Sequence, residues 1–256
     1  MTRCGWWFRQ PTRKTSSEWA GRDGPRRGAV LYFSRVPVYL LPLFPLPLVL
    51  FPGAPLPLHI FEPRYRQLLT DCMSGDSRFG IVFRPEGIGD SDLEPGRVGC
   101  VAEVDDAHTL PDGRSNIVVH GVRRFSLQRF VASPAPYYVG EVAEYEDLPE
   151  DEAALGPIAT RVRALFGRIG RAARTLADDH DPLPTLPDDA DSLSFGIAAL
   201  IDIDAPQRQE LLVSRLASER LKNIERLLGG AVDSLEARAR VHGRAKSNGR
   251  GPYLSS

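Results

Sequence analysis

The sequence predicts an α+β protein, with a β-rich part at about residues 37–147 and a helical bundle at 148–232. Two observations lead to this prediction. Short apolar runs separated by turn residues fill the first part, whereas apolar residues recur at helical spacing in the second. Of the 256 residues, 42% are hydrophobic and 25% are charged, which is the balance of an ordinary globular protein. Residues 1–36 and 233–256 show neither pattern, so we expect them to be disordered.

The segment that precedes the first predicted strand is basic. Residues 1–36 contain eight Arg or Lys residues and only two acidic ones, without hydrophobic periodicity. This composition is typical of a disordered extension. A translation start near Val36 would leave the extension out of the natural protein.

Residues 36–61 form an apolar run without any Lys, Arg, Asp or Glu, long enough to cross a bilayer as a helix. Its seven prolines exclude such a helix, because each costs about 3 kcal/mol inside one. We expect extended backbone at a sheet edge, where proline is tolerated. No small-residue cleavage site follows the run, so we expect no signal peptide, no membrane partner and a cytoplasmic location.

The remaining strands of the first part are marked by apolar runs and turns. Such runs occur at 79–83, 98–102 and 116–120, and a further strand is expected at 137–146. Asp112-Gly113 separates two of the runs and predicts a hairpin, because this pair accepts the positive φ angles of tight turns.

One helix interrupts the strands. Pro63 suits its first turn, and four apolar residues follow at positions i, i+3, i+4 and i+7: Tyr65, Leu68, Leu69 and Cys72.

The second part predicts about four helices. The first carries one apolar stripe from Leu155 to Ile169, and an acidic, proline-containing loop is expected at 177–191. A buried helix follows at 193–203, and Asp204 opens another. We expect the last helix to end at Gly229-Gly230, because glycine commonly terminates helices.

The chain lacks the motifs of several enzyme classes. It has no Gly-Lys pair and therefore no phosphate-binding loop, and neither G-x-S-x-G nor H-E-x-x-H occurs. The five histidines are scattered singly, and the three cysteines lack framework spacing. We therefore expect a protein that is not an enzyme, with no cofactor, no metal and free thiols in a reducing compartment.

A set of motifs, taken in order, is similar to the N-terminal domain of Lon proteases. They are LPLFPL at 41–46, LFPG at 50–53, PLHIFEPRY at 57–65, FGIV at 79–82, VGCVAEV at 98–104, DGRSNI at 112–117, GVRRF at 121–125, RQELL at 208–212 and ERL at 219–221. The resemblance covers roughly residues 38–230. It implies a PUA-like β-rich domain followed by a helical bundle.

The resemblance also implies a function. Domains of this family capture unfolded or damaged polypeptide for delivery to a protease. Because the sequence ends before any ATPase or Ser-Lys protease module, it resembles the stand-alone bacterial form. We expect an ATP-independent adaptor in protein quality control that binds apolar polypeptide segments and acts with a separate ATPase or protease. The oligomeric state stays open.

The motif residues fall into two groups of expected roles. The apolar segment has more apolar surface than one edge strand needs, so we expect part of it to bind polypeptide. The candidate binding residues are Leu43, Phe44, Leu46, Leu48, Phe51 and Phe61. The motif residues with an expected structural role are Pro42, Pro45, Pro52, Gly53, Glu62, Pro63, Arg64, Tyr65, Gly121, Arg124 and Phe125.

Two other classes of function were weighed. A PUA-like nucleic-acid-binding protein is the main alternative, by analogy of fold. The net charge of −1 and the acidic residues Glu141, Glu144 and Glu146 argue against a nucleic-acid partner, because phosphate binding needs a surplus of Lys and Arg. A hydrolase that uses scattered carboxylates is the third class, although no pair of carboxylates is singled out by the sequence.

Overall fold

The computed structural model describes residues 37–248, so the predicted extension at 1–36 and residues 249–256 lie outside the described part. The described part contains six strands and five α-helices. The strands are β1 (Val38–Leu46), β2 (Pro55–Ile60), β3 (Arg78–Phe83), β4 (Val98–Thr109), β5 (Ser115–Val131) and β6 (Tyr138–Glu144). The helices are α1 (Pro63–Met73), α2 (Glu152–Ala177), α3 (Ala190–Leu200), α4 (Ala205–Val213) and α5 (Ala217–Asn248). The α+β prediction is confirmed.

The strands close into a small barrel. Their order in the sheet is β2-β5-β4-β3-β1-β6, and β5 also pairs with β6. Because β5 pairs with both β4 and β6, strands β5, β4, β3, β1 and β6 form a closed ring. Strand β2 pairs with residues 115–120 of β5 and lies outside this ring. The pair β1–β3 is parallel and the other pairs are antiparallel.

The interior of the barrel is filled by a cluster of buried apolar side chains, in which Phe125 is fully buried and, among the described residues, is the one aromatic member. Glycines on the neighbouring strands make room for its ring. A Cβ atom on Gly99 would lie 2.6 Å from Phe125 Cζ, and one on Gly80 would lie 2.8 Å from the same atom. Both distances are too short for unstrained packing, so the barrel can close around Phe125 only if these two positions lack a side chain.

The prolines of β1 correct one prediction. We expect the proline-rich segment 36–61 at a sheet edge; this holds for β2, which belongs to the segment, but β1 lies between β3 and β6. Each proline nevertheless has a partner on one side only, since Pro42 pairs with Val139 of β6 and Pro45 pairs with Val82 of β3. A missing N–H group is tolerated where only one side of the strand needs a donor. The edge strand is β2.

Helix α1 forms as the sequence predicts. Pro63 occupies its first turn, and the four apolar residues at helical spacing are buried. Tyr65 and Leu68 belong to the same core cluster as Ile60 of β2 and Ile117 of β5. One face of β2 and β5 is therefore covered, and the opposite face stays open.

The helical part is organised by α2 and α5, which run side by side in the same direction. Ion pairs mark the alignment at increasing positions on both helices: Arg161 with Glu225 at 2.7 Å, and Arg168 with Glu236 at 2.8 Å. The α2–α3 connection spans residues 178–189, close to the predicted loop.

Helix α5 corrects a second prediction. A disordered tail was expected from residue 233, with the helix ending at Gly229-Gly230, but α5 continues to Asn248. Each glycine costs about 1 kcal/mol inside a helix. Packing against α2 offsets this cost, because Val232 and Ala239 are buried beyond the glycines. None of the helices within residues 37–248 is long and apolar enough to cross a membrane.

Candidate functional site

The predicted binding residues lie in different environments. Leu43, Phe44 and Phe51 are buried in the core, so the expectation that these three contact a polypeptide is wrong. Their apolar area is used inside the barrel and against the helices. Phe51, for example, lies 6.0 Å from Phe195 of α3 between ring centroids. Leu46 and Leu48 are partly buried and pack against the same core. Of the six, only Phe61 is largely exposed, at 59% of its surface.

Phe61 stands beside an open sheet surface. Strand β2, residues 115–120 of β5 and residues 106–109 of β4 form a three-stranded extension of the barrel, which we call the arm. The face of the arm that carries Ile117 and Val119 is buried against the core. Since successive residues of a strand point to opposite faces, Asn116 and Val118 lie on the other face, which we call the outer face.

The register of the arm places matching residues in rows on the outer face. Val118 lies between Pro57 of β2 and Asp106 of β4. Asn116 lies in the same way between two histidines, His59 and His108. Directly paired residues point to the same face, so each row joins all three strands.

The outer face forms an open hollow of about 360 Å³. It is lined by Pro57, Leu58, His59, Asp106, His108, Asn116, Ile117 and Val118. Val118 is 38% exposed, which is unusual for a valine in the middle of a sheet. None of these residues is among the six predicted binding residues, although Pro57 and Leu58 belong to the apolar run at 36–61. The sequence signal that could have indicated this face is the alternation of Asn116 and Val118 with the buried residues Ile117 and Val119.

Polar groups hold one side of the hollow in place. His59 Nδ1 lies 2.7 Å from Asn116 Oδ1, and the rings of His59 and Phe61 stack with centroids 6.1 Å apart. His120 Nδ1 lies 2.6 Å from Asp105 Oδ1 on the neighbouring strand. Within the described residues, the carboxylate of Asp106 has no hydrogen-bond or ion-pair partner, although its backbone is part of the β4–β5 ladder. The hollow therefore combines apolar side chains with one unpaired carboxylate.

A larger open hollow, of about 470 Å³, lies between the first turns of α2 and α5. Three of its four charged side chains are already engaged in the fold, and among the described residues Lys222 is the exception. Glu150 accepts a hydrogen bond from the backbone N–H of Ser218, Asp151 accepts one from Ala153, and Arg161 pairs with Glu225. This hollow is consequently a less suitable binding site than the outer face of the arm.

The Glu62–Tyr65 motif forms an ion-pair cluster that fixes the β3–β4 connection. Arg64 lies 2.9 Å from Glu62 and 2.8 Å from Asp90, and Arg84 lies 2.9 Å from Asp90. The Tyr65 hydroxyl donates to Asp90 at 3.3 Å. Burial, together with the charge of Asp90, raises the pKa of Tyr65. These contacts are internal to the fold: Tyr65 is buried, Glu62 and Arg64 are partly exposed, and Pro63 is exposed.

Arg124 belongs to a buried cluster that joins the barrel to the helices. Its guanidinium donates to the backbone carbonyls of Leu212 and Ser214, each at 2.7 Å, and contacts Asp147. Arg220 of α5 is fully buried and lies 2.7 Å from Asp147. The sequence places Arg220 in a family motif but assigns it no role, because an arginine on a predicted helix is ordinarily solvated.

The carboxylates of this cluster differ in acidity. Burial alone would raise the pKa of Asp147, but hydrogen bonds from Arg220 and Asp191, together with the charges of Arg220 and Arg124, hold it below its ordinary value. Burial and the neighbouring Asp147 raise the pKa of Asp191 to about 6. Among the described residues, no group of three or more His, Cys, Asp or Glu is arranged to hold a metal ion.

Comparison with known proteins identifies relatives. Residues 40–229 match the family model of the ATP-dependent protease La (LON) substrate-binding domain. Lon protease 2 of Herpetosiphon aurantiacus is 29% identical over 140 residues, which cover 55% of this chain and 17% of that protein. Lon protease of Brucella suis is 23% identical over 245 residues, which cover 93% of this chain and 28% of that protein. The chain thus spans less than a third of the length of these relatives.

Solved structures agree with this match. The crystal structure of a Lon N-terminal domain protein from Xanthomonas campestris is 29% identical, with a TM-score of 0.53, covering 73% of this chain and 96% of that one. The N-terminal domain of the Lon protease from the Mycobacterium avium complex has a TM-score of 0.56 at 18% identity, covering 75% and 98%. The second similarity concerns the fold alone.

Proposed function

Because the chain belongs to the family of Lon substrate-binding domains, we propose that it binds apolar segments of unfolded polypeptide on the outer face of the arm. The family is a non-catalytic, substrate-recognising one, which supports a binding role. The observation that carries the choice of site is the exposed apolar group formed by Pro57, Phe61 and Val118 around an open hollow.

The physical basis of the proposal is burial of apolar surface. A client that covers about 300 Å² of apolar area on this face would gain on the order of 7 kcal/mol. Association and ordering of the client would offset several kcal/mol of that gain. Binding should therefore be weak and rapidly reversible, which suits a module that passes its client on.

We extend the proposal to the role of an adaptor in cytoplasmic protein quality control. A client held on the outer face would be delivered to a separate ATPase or protease. The family membership and the link of its relatives to proteolysis support this role. The activity of those longer relatives is not transferred to this chain, which matches only a small part of their length.

The test measures binding of a fluorescent, carboxymethylated unfolded protein by anisotropy. We expect Phe61→Ser and Val118→Ser each to weaken binding several-fold, because each removes exposed apolar area from the site. Phe61→Ser should leave thermal stability unchanged, because 59% of Phe61 is exposed, whereas Val118→Ser should lower it slightly, because Val118 is 38% exposed on a central strand. Val241→Ser is the matched control, because Val241 is 68% exposed on α5, outside the arm. Equal affinity of all three variants and the natural chain would contradict the proposal.

A salt titration adds a second readout. Apolar recognition should depend weakly on salt, whereas binding to phosphate groups falls steeply as salt rises. A steep loss, together with retention of RNA, would favour the nucleic-acid alternative instead.

A further inference from the structure

The two edges of the arm differ in the backbone groups that they offer. On the β2 side, the N–H of Gly121 donates to the Ala54 carbonyl at 3.0 Å. Hydrogen-bonded and non-hydrogen-bonded pairs alternate along an antiparallel ladder, so the backbone groups of Pro55, Pro57 and His59 point away from β5. Two of these three residues are prolines without an N–H group. This edge is a poor template for another strand.

The edge formed by β4 has no prolines that would remove N–H donors. The N–H of Leu110 donates to the Arg114 carbonyl at 2.7 Å, which sets the same alternation on β4. The N–H and C=O groups of Ala107 and Thr109 consequently point outward. Both residues are exposed, and within the described residues β4 pairs with β3 only as far as Glu103. The edge therefore presents two donors and two acceptors without a strand partner.

We propose that an extended, basic segment of unfolded polypeptide adds to this edge of β4 as a further strand, bonded to the backbone of Ala107 and Thr109. The inference rests on the proposed function and specifies its binding mode and the class of client. Backbone bonds at a sheet edge give affinity that does not depend on the client sequence, as a polypeptide-recognition module requires.

Charge at the edge decides between the possible occupants. Asp106 projects from the outer face of the same strand without a cationic partner within the described residues, and Asp105 is exposed beside it. A second copy of this chain that paired through the same edge would bring these carboxylates together, which is unfavourable. A client with Lys or Arg would instead place a cation beside Asp106, and its apolar neighbours would lie toward the hollow.

The experiment removes the outward donors singly. Ala107→Pro and Thr109→Pro each delete one outward N–H and leave the bonds between β4 and β5 in place. Ala107→Val and Thr109→Val keep the N–H and serve as matched controls. The probe is a short fluorescent peptide in which Leu and Lys alternate. We expect each proline variant to weaken peptide binding about threefold to tenfold, the effect of one net hydrogen bond, and the valine variants to bind normally.

Two further arms keep the test decisive if a proline variant fails to fold. A peptide N-methylated at every residue should lose binding to the natural chain, because neither of its edges can then donate hydrogen bonds to the ladder. Asp106→Asn should reduce the preference for the Leu-Lys peptide over a Leu-Ser peptide, and Glu86→Asn, on the exposed β3–β4 connection, should not.

The outcomes separate the two proposals. Normal binding of the N-methylated peptide and of the folded proline variants would overturn strand addition. If Phe61→Ser and Val118→Ser still weakened binding in that case, the proposed function would stand without it. No binding of either the peptide or the unfolded protein to the natural chain would refute the proposed function itself. A natural chain that dimerises, with dimerisation lost in the proline variants, would identify a second copy as the occupant and overturn the proposal.

Discussion

Replacing Arg220 with Met should destabilise the protein strongly, although Arg220 lies far from the proposed binding surface. Its guanidinium is fully buried and bonds to Asp147, to the Ser194 hydroxyl at 2.8 Å and to the Ser214 carbonyl at 3.0 Å. It also stacks on Phe195, with the guanidinium carbon 4.1 Å from the ring centroid. Methionine fills similar space but satisfies none of these acceptors.

The expected magnitude follows from what remains after the substitution. Asp147 is only 14% exposed and would keep Arg124 as its single cationic partner. Removing one partner of a buried ion pair typically costs about 3–5 kcal/mol, because the other charge stays buried and poorly compensated. The surviving contact with Arg124 places the expected loss at the lower end, about 3 kcal/mol.

Urea unfolding followed by circular dichroism measures this loss directly. The control is Arg161→Met, which breaks the exposed pair with Glu225 and should cost no more than about 1 kcal/mol. A second variant, Asp147→Asn, should reduce the effect of Arg220→Met when the two are combined, because the residues interact directly. If Arg220→Met costs as little as Arg161→Met, the cluster does not hold the barrel and the helices together and the reasoning fails.

Two other predictions follow from the fold. The pKa of Asp191 is raised to about 6 in the folded state from an ordinary 3.8. The folded state therefore binds more protons than the unfolded state between these pH values, and stability should rise as pH falls from about 6 toward 4. The urea midpoints measured at pH 7 and pH 5 should differ less in Asp191→Asn than in the natural chain. Gly99→Ala should cost about 1–3 kcal/mol, because its Cβ would lie 2.5 Å from the Ile81 carbonyl oxygen. Gly156→Ala in α2, with open space around it, should leave the melting temperature unchanged or raise it; a melting temperature equally lowered in both variants would contradict this.

The elements that depend on local signals could be predicted from the sequence. Helix α1 follows from Pro63 and one apolar stripe, and the β4–β5 hairpin follows from Asp112-Gly113, where Gly113 has a φ of 83°. The extent of α5 could not be predicted in the same way. The pair Gly229-Gly230 resembles the end of a helix. The residues beyond it are nevertheless helical, because α2 supplies a surface for Ala239 and an ion-pair partner for Glu236.

The buried cluster shows a different limit of sequence reasoning. Arg124 was assigned to the fold from its motif, but its partners come from distant parts of the chain, with Leu212 lying 88 residues away. An arginine on β5 and another on α5 are each compatible with a solvated surface. Only the packing of the helices on the barrel brings both guanidinium groups to Asp147. The residue pattern of β5 or α5 alone does not predict this contact.

The candidate surface could be anticipated only at Phe61, and the reason lies in how the apolar residues are used. The large side chains of the apolar run at 36–61 pack inside the barrel and against the helices, so hydrophobicity in the sequence marks the core rather than the site. The outer face is instead assembled from single residues on three strands, with His59 facing Asn116 across 57 residues of chain. Each of these residues alone is an ordinary surface residue. A binding face arises because the register places Pro57 beside Val118 while the core side of the same strands is already covered, and that register is a property of long-range pairing.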